Sequence, residues 1–152
     1  MPENPTVADA ELILKLYDLR REAEIRKARN WWLGFWPESF DDIMKVATAL
    51  GSQENAWLRQ VGGYWEMAAS FVLRGVLNRE MFLEGSFSGE MFLIFAKIQP
   101  FLKDLREKMQ NPNIFGNVEK VIMTSKEGPE RLKQTQERLA MLRKAAQSVK
   151  AA

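Results

Sequence analysis

The chain has no cysteine and no histidine among its 152 residues, and each absence removes chemistry. Without cysteine there is no disulfide and no thiolate nucleophile, and without histidine there is no imidazole acid–base catalysis. Together the two absences also remove zinc sites and haem ligation of the usual kinds. Carboxylate, lysine, tyrosine and serine chemistry remain. A cysteine-free chain suits any redox compartment, so this absence does not locate the protein. Long apolar runs are missing too: nowhere do about 18 apolar residues follow one another without a charge, so no membrane span is expected. The opening "MPENPTVADAELILKLYDLRR" lacks a basic stretch followed by an apolar core, so no signal peptide is expected and the cytoplasm is the default compartment. No segment alternates as a strand does, and no internal repeat is visible. The glycines of "GSQENAW", "GGYWE" and "GSFSGEM" match no phosphate loop.

What is present is a globular composition, 46% hydrophobic and 28% charged, which is not that of a disordered chain. A chain of this length makes one domain and buries roughly 70% of its unfolded surface. Net charge is +2; residues 126–152 carry seven Lys/Arg against three Glu, a local +4, which leaves −2 for residues 1–125.

Apolar spacing predicts helices throughout. Thr6 is a plausible N-cap with Asp9 three residues on, and Leu12, Leu16, Leu19 and Ala23 share a face, so one helix is expected over about 7–33, stopped by Gly34 and Pro37. On its polar face Glu22 precedes Arg26 by one turn. Ser39 caps a short helix with Asp41 and Asp42 in its first turn, where the helix dipole favours negative charge. Gly51 ends it, and Ser52 starts a longer one with the stripe Trp57, Val61, Tyr64, Trp65, Ala68, Phe71 or Val72, and Val76. Gly62 and Gly63 interrupt that stripe, which marks either close backbone packing or a hinge. Asn78 caps a single short turn or helix, and Gly85 to Gly89 is expected to form a loop. Met91, Phe95, Ile98, Leu102, Leu105 and Met109 define a central helix kinked at Pro100. Asn111-Pro112 reads as a further helix start leading to Phe115, Val118, Val121 and Ile122. A last, more polar helix over 129–149 either packs as a thin amphipathic layer or extends toward a partner. The expected architecture is all-α, a single domain over 1–152 built as a bundle of five or six helices.

The middle of the chain carries an aromatic–acid pair followed by a small residue (Trp65, Glu66, Ala69), a glycine before an acidic turn (Gly75, Glu80), a helix with proline and arginine (Pro100, Arg106), and an Asn-Pro, aromatic, acid series (Asn111, Pro112, Phe115, Glu119). In these elements, over residues 64–121, it resembles an uncharacterised bacterial all-helical domain family of unknown function. The resemblance implies a helical fold and no activity. Members of that family often begin with a membrane-spanning helix, which this sequence lacks, so the resemblance leaves membrane association by another route open.

Three features are candidates for function. Trp31, Trp32, Phe35 and Trp36 lie within six positions and follow the basic Arg20, Arg21, Arg26, Lys27 and Arg29. The rings close one end of the bundle, hold a protein partner, or sit at a membrane surface while the arginines meet anionic lipid. Adjacent helical residues point about 100° apart, so burying both Trp31 and Trp32 requires neighbours on more than one face. Glu66 falls between Trp65 and Met67, where burial would raise its pKa; the plainer expectation is a buried ion pair of Glu66 with Arg74 or Arg106. Glu38, Asp41 and Asp42 have the chemistry for a hard cation, but the helix dipole already accounts for the two aspartates. The basic face of Arg131, Lys133, Arg138, Arg143, Lys144 and Lys150 offers a few phosphate contacts, yet a solvated helix face with the usual basic bias near a C-terminus is the plainer account.

These readings lead to an expected non-catalytic helical scaffold or protein-interaction module, acting through a protein partner or as a homodimer, with no cofactor, no metal and no nucleic-acid partner. The alternative is a peripheral membrane protein that uses the basic first helix and the Trp31–Trp36 corner.

Overall fold

A computed structural model describes residues 4–151; Met1, Pro2, Glu3 and Ala152, which the single-domain expectation includes, lie outside the described residues. Those described form helices and connecting turns with no strand among them. The helices are α1 (Val7–Leu19), α2 (Ala23–Gly34), α3 (Phe40–Ala47), α4 (Gln53–Leu73), α5 (Arg79–Phe82), α6 (Gly85–Ile98), α7 (Leu102–Lys108), α8 (Gly116–Thr124) and α9 (Gly128–Ala151). The all-α expectation holds, and the count of five or six is too low because three expected segments divide or begin elsewhere.

The first division falls at Arg20–Glu22, inside the helix expected over 7–33. Glu22 adopts an extended backbone (φ −59, ψ 139) and its carboxylate accepts the Ile25 N–H, so it caps a new helix instead of forming the expected pair with Arg26. Leu19 and Ala23 then turn outward, and Arg20 turns inward in their place. The second division is at Pro100, where a 3₁₀ turn over Gln99–Phe101 separates α6 from α7; a proline there has no N–H to donate and this is the expected kink. The third correction is at Gly85, where helix α6 begins directly and the expected loop to Gly89 is absent.

Short-range signals act as sequence reading expects. Thr6 with Asp9 and Ser39 with Asp42 both close reciprocal capping boxes, in which two orphan N–H groups of the first turn are satisfied at once. Ser52 and Asn78 cap α4 and α5 through their side chains. Asn111-Pro112 does not start a helix. Asn111 Oδ1 instead accepts the Asn113 N–H at 3.0 Å, and α8 begins only after Phe115, which sits in the left-handed region at φ 53.

The long α4 is the organising element: α2, α3 and α8 pack on it, while α6 packs on α9 and α8 joins the two groups. Trp65 of α4 is fully enclosed, with Tyr64, Phe82 and Phe87 around it in edge-to-face contact at centroid distances of 5.0 to 6.1 Å. Such ring pairs add about 0.5–1.5 kcal/mol each beyond their buried area. Gly62 answers the packing-or-hinge question: a Cβ there would stand 3.2 Å from Cζ of Phe115, so the glycine admits that ring against α4, whereas Gly63 faces open space.

Candidate functional site

The tryptophan corner is built around a lysine that sequence reading does not single out. α2 ends at Gly34, and the chain folds back so that Trp31, Trp32, Phe35 and Trp36 surround the C-terminal carbonyls of that helix. Trp32 is 1% exposed, while Trp31, Phe35 and Trp36 are half-buried against the core. Trp31 stacks on Phe35 at 4.6 Å, and Trp32 meets both rings edge-on. From α6, Lys97 inserts beneath them. Its ammonium donates to the Trp32 carbonyl at 2.5 Å and to that of Leu33 at 3.4 Å, and lies 4.3 Å from the Trp36 ring centroid. A cation is favoured at the negative end of a helix, and the indole face adds a further attraction. Burial nevertheless dominates and pushes the amine down from 10.5 to about 8. The corner's one strongly exposed apolar residue is Leu33, at 58%.

Glu66 does not form the expected ion pair. Its carboxylate accepts the Val118 N–H at 2.8 Å and the Asn117 N–H at 3.3 Å, and so caps the first turn of α8 from a residue 51 positions away. Burial raises its pKa, opposed by those two backbone bonds and by the charge of Arg106. Arg106 itself bonds the Ile114 carbonyl and pairs with Glu119 at 3.2 Å. Arg74 is the C-cap of α4, where Gly75 (φ +73) and Val76 return their N–H groups to Val72 and Phe71, and its side chain joins neither residue. Among the described residues no cluster of three or more carboxylates could hold a metal ion, Glu38, Asp41 and Asp42 included. Asp42 is engaged by the N–H groups of Glu38 and Ser39, which lower its pKa.

A second buried cation stands at the α1–α2 elbow. Arg20 is 7% exposed and enclosed by Tyr17, Tyr64, Trp65 and Phe87, with centroid distances from 4.6 to 6.0 Å. One terminal nitrogen donates to the Phe87 carbonyl at 2.5 Å. Its Nε finds no partner among the described residues. Beside it Glu90 of α6 accepts from Trp65 Nε1 at 3.0 Å and from Arg29 Nε at 2.5 Å, and so ties α2, α4 and α6 together. Two of the arginines expected to meet anionic lipid, Arg20 and Arg29, therefore belong to a structured elbow. No local signal marks Arg20 or Glu90, because their partners lie as much as 67 positions away.

The last helix packs on the body over its first half and runs on uncovered over its last turns. Leu132 and Leu139 are buried, and Arg131 reaches inward over the Phe92 ring, donating to the Leu83 carbonyl and to Ser88. Beyond Arg143, which pairs with Glu38 at 2.7 Å, every described residue is exposed. Leu142, Ala146 and Val149 thus continue the buried stripe without anything covering them. No helix among the described residues is long and apolar enough to cross a membrane.

A family model, DUF4760, a domain of unknown function, matches residues 5–125, a wider span than the 64–121 of the resemblance. No curated protein and no solved structure matches the chain.

Proposed function

We propose, from the premise that the chain belongs to this DUF4760 family of domains of unknown function, that it is a non-catalytic interaction module whose α9 receives an acidic helical partner. The observation that carries this reading is the apolar row of α9 outrunning the body that buries its first half. Leu132 and Leu139 are 6% and 8% exposed, whereas Leu142 and Val149 are 52% and 78% exposed. Helical spacing puts Leu142, Ala146 and Val149 on one stripe, which is the pattern by which a helix offers its face to another.

Charge chooses the partner. After Glu137 the segment carries Arg138, Arg143, Lys144 and Lys150 and no acid. A second copy laid antiparallel over the exposed row would oppose cation to cation, which disfavours the homodimer. A partner helix with an apolar row flanked by glutamates or aspartates meets both features. The reading of a binding protein is further supported by the fate of the best catalytic candidate, Glu66, whose oxygens are taken up by the start of α8. Membrane association through the Trp31–Trp36 corner has less support, since Trp32 is interior and the other rings are half-covered.

The test is a titration of the full chain with a synthetic helical peptide bearing a leucine row flanked by glutamates, followed through backbone amide resonances. The expected result is a salt-sensitive shift confined to α9, abolished in Leu142→Asp/Val149→Asp. The reading fails if α9 does not respond to the peptide, or responds equally to a lysine-flanked control. A response to phosphatidylglycerol vesicles and not to the peptide would replace the partner helix with a membrane surface.

A further inference from the structure

We propose that the elbow between α1 and α2 is a binding cleft for a phosphate-bearing ligand, with Arg20, Arg21 and Arg26 as its anion-binding residues. The cleft has a volume of about 400 Å³ and is lined by Tyr17, Arg20, Arg21, Arg26 and Arg29. That size lies within the roughly 300–1,000 Å³ of small-molecule sites. Four of its five lining residues are arginines, and of these only Arg29 has a carboxylate partner among the described residues. Glu90 pairs with Arg29, Glu24 with Lys27, and Glu22 caps α2. Arg20, Arg21 and Arg26 have no carboxylate partner among the described residues.

Such concentration of like charge opposes folding unless something offsets it, and the fold maintains it by construction. The break at Arg20–Glu22 is what turns consecutive basic residues into a concave wall. A continuous helix over 7–33 would have spread Arg20, Arg21 and Arg26 around its surface. Arg26 is held in place by its Nε, which donates to the Arg21 carbonyl at 3.0 Å.

Arg20 supplies the second, independent observation. It is more than nine-tenths buried, lines the cleft, and keeps an Nε–H with no partner. A buried guanidinium ordinarily takes a carboxylate or satisfies its donors on carbonyls, and this one has the Phe87 carbonyl, the Tyr64 hydroxyl and four aromatic rings, with its Nε–H left over. The four rings enclose the guanidinium at 4.6 to 6.0 Å and hold it in place while its Nε–H stays unmet, a preorganisation suited to an anionic ligand. Arginine's planar fork matches phosphate oxygens in pairs, which favours a phosphate over a single-point anion. Tyr17 at the rim, 47% exposed, offers a face and a hydroxyl to whatever the phosphate is attached to. This inference concerns the opposite end of the chain from α9 and does not depend on the partner proposed there.

The chemistry is common to a free phosphomonoester and to a phosphorylated lipid headgroup, and the experiment separates them. Full-length protein labelled in its arginine side chains is titrated with phenyl phosphate, and separately with phosphatidylcholine vesicles carrying or lacking phosphatidylinositol phosphate. Saturable movement of the Arg20, Arg21 and Arg26 side-chain resonances with phenyl phosphate identifies a small phosphomonoester as sufficient. Movement only with the phosphoinositide vesicles identifies the headgroup. Arg21→Gln/Arg26→Gln, which alters exposed side chains and spares the buried Arg20, is expected to weaken binding by roughly 100-fold, about tenfold for each charge-assisted contact. The proposal is overturned if neither probe moves these resonances, or if the double variant binds either probe as tightly as the parent does.

Discussion

Lys97→Met tests how the tryptophan corner is held together. The Lys97 ammonium sits against the Trp32 and Leu33 carbonyls and beneath Trp36 with no carboxylate beside it among the described residues. Burial lowers its pKa from 10.5 to about 8, so on raising the pH the folded protein releases this proton before the unfolded chain does. From about pH 8 to 10.5 the unfolded state therefore binds more protons, and the contribution of Lys97 to stability climbs with pH across that window. Below it both states are charged and the folded state bears the whole burial cost. A tenfold change in proton affinity corresponds to about 1.4 kcal/mol, so the fall from 10.5 to about 8 sets a ceiling of about 3.4 kcal/mol. Screening by nearby solvent and the attraction of the α2 carbonyls reduce the working figure to about 2 kcal/mol. Methionine keeps the apolar stem without the charge and leaves the Trp32 carbonyl with only the Phe35 N–H at 3.4 Å, a pH-independent loss of about 1 kcal/mol.

Urea unfolding of both proteins at several pH values, read by tryptophan emission, isolates the titrating part. The stability of the parent relative to Lys97→Met is expected to rise by about 2 kcal/mol between about pH 7.5 and 10. Emission of the folded parent should also titrate within this window, because the ammonium charge beside the Trp36 ring disappears there. Parallel stability curves, together with no emission change in that range, would refute a buried and protonated Lys97.

Four further substitutions probe contacts that only the folded chain makes. Gly63→Ala adds its methyl to open space and is expected to stabilise α4 by about 0.5–1 kcal/mol, while Gly62→Ala must displace the Phe115 ring and should be less stable than Gly63→Ala by about 1–2 kcal/mol; equal denaturation midpoints would mean that Phe115 does not rest on Gly62. Glu66→Gln weakens the cap on α8 and should cost about 1 kcal/mol. Hydrogen exchange at the Asn117 and Val118 amides should accelerate with it, and unchanged exchange would place the Glu66 carboxylate elsewhere. Gly128→Ala puts a Cβ 1.9 Å from the Ile122 carbonyl oxygen and 2.3 Å from Ser125 Oγ, which the chain can relieve only by moving α9, at about 3 kcal/mol. Thermal unfolding of that variant indistinguishable from the parent would refute the tight turn between α8 and α9.

The sequence by itself determined what depends on neighbours within a turn or two. Thr6 with Asp9, Ser39 with Asp42, Ser52 and Asn78 cap helices because an oxygen three residues from an N–H reaches it whatever the rest of the chain does. Helical spacing likewise marked Val61, Trp65, Met91, Phe95, Leu102 and Val118 as interior, since the period of the helix alone brings them to one side. Tertiary structure decided the fate of the charges. Arg20 and Lys97 look like ordinary surface cations in sequence, and Glu66 like half of an ion pair. Their actual partners are the Phe87 carbonyl, the end of α2 and the start of α8, reached across 67, 65 and 52 residues. Backbone donors and acceptors exist at every position, so composition cannot say which of them a buried charge will meet. The same reason explains why one expected helix became two: the inward turn of Arg20 toward the rings of α4 and α6, together with the Glu22 cap, defines the elbow. Only after that elbow forms do the basic residues of the first segment share a single wall.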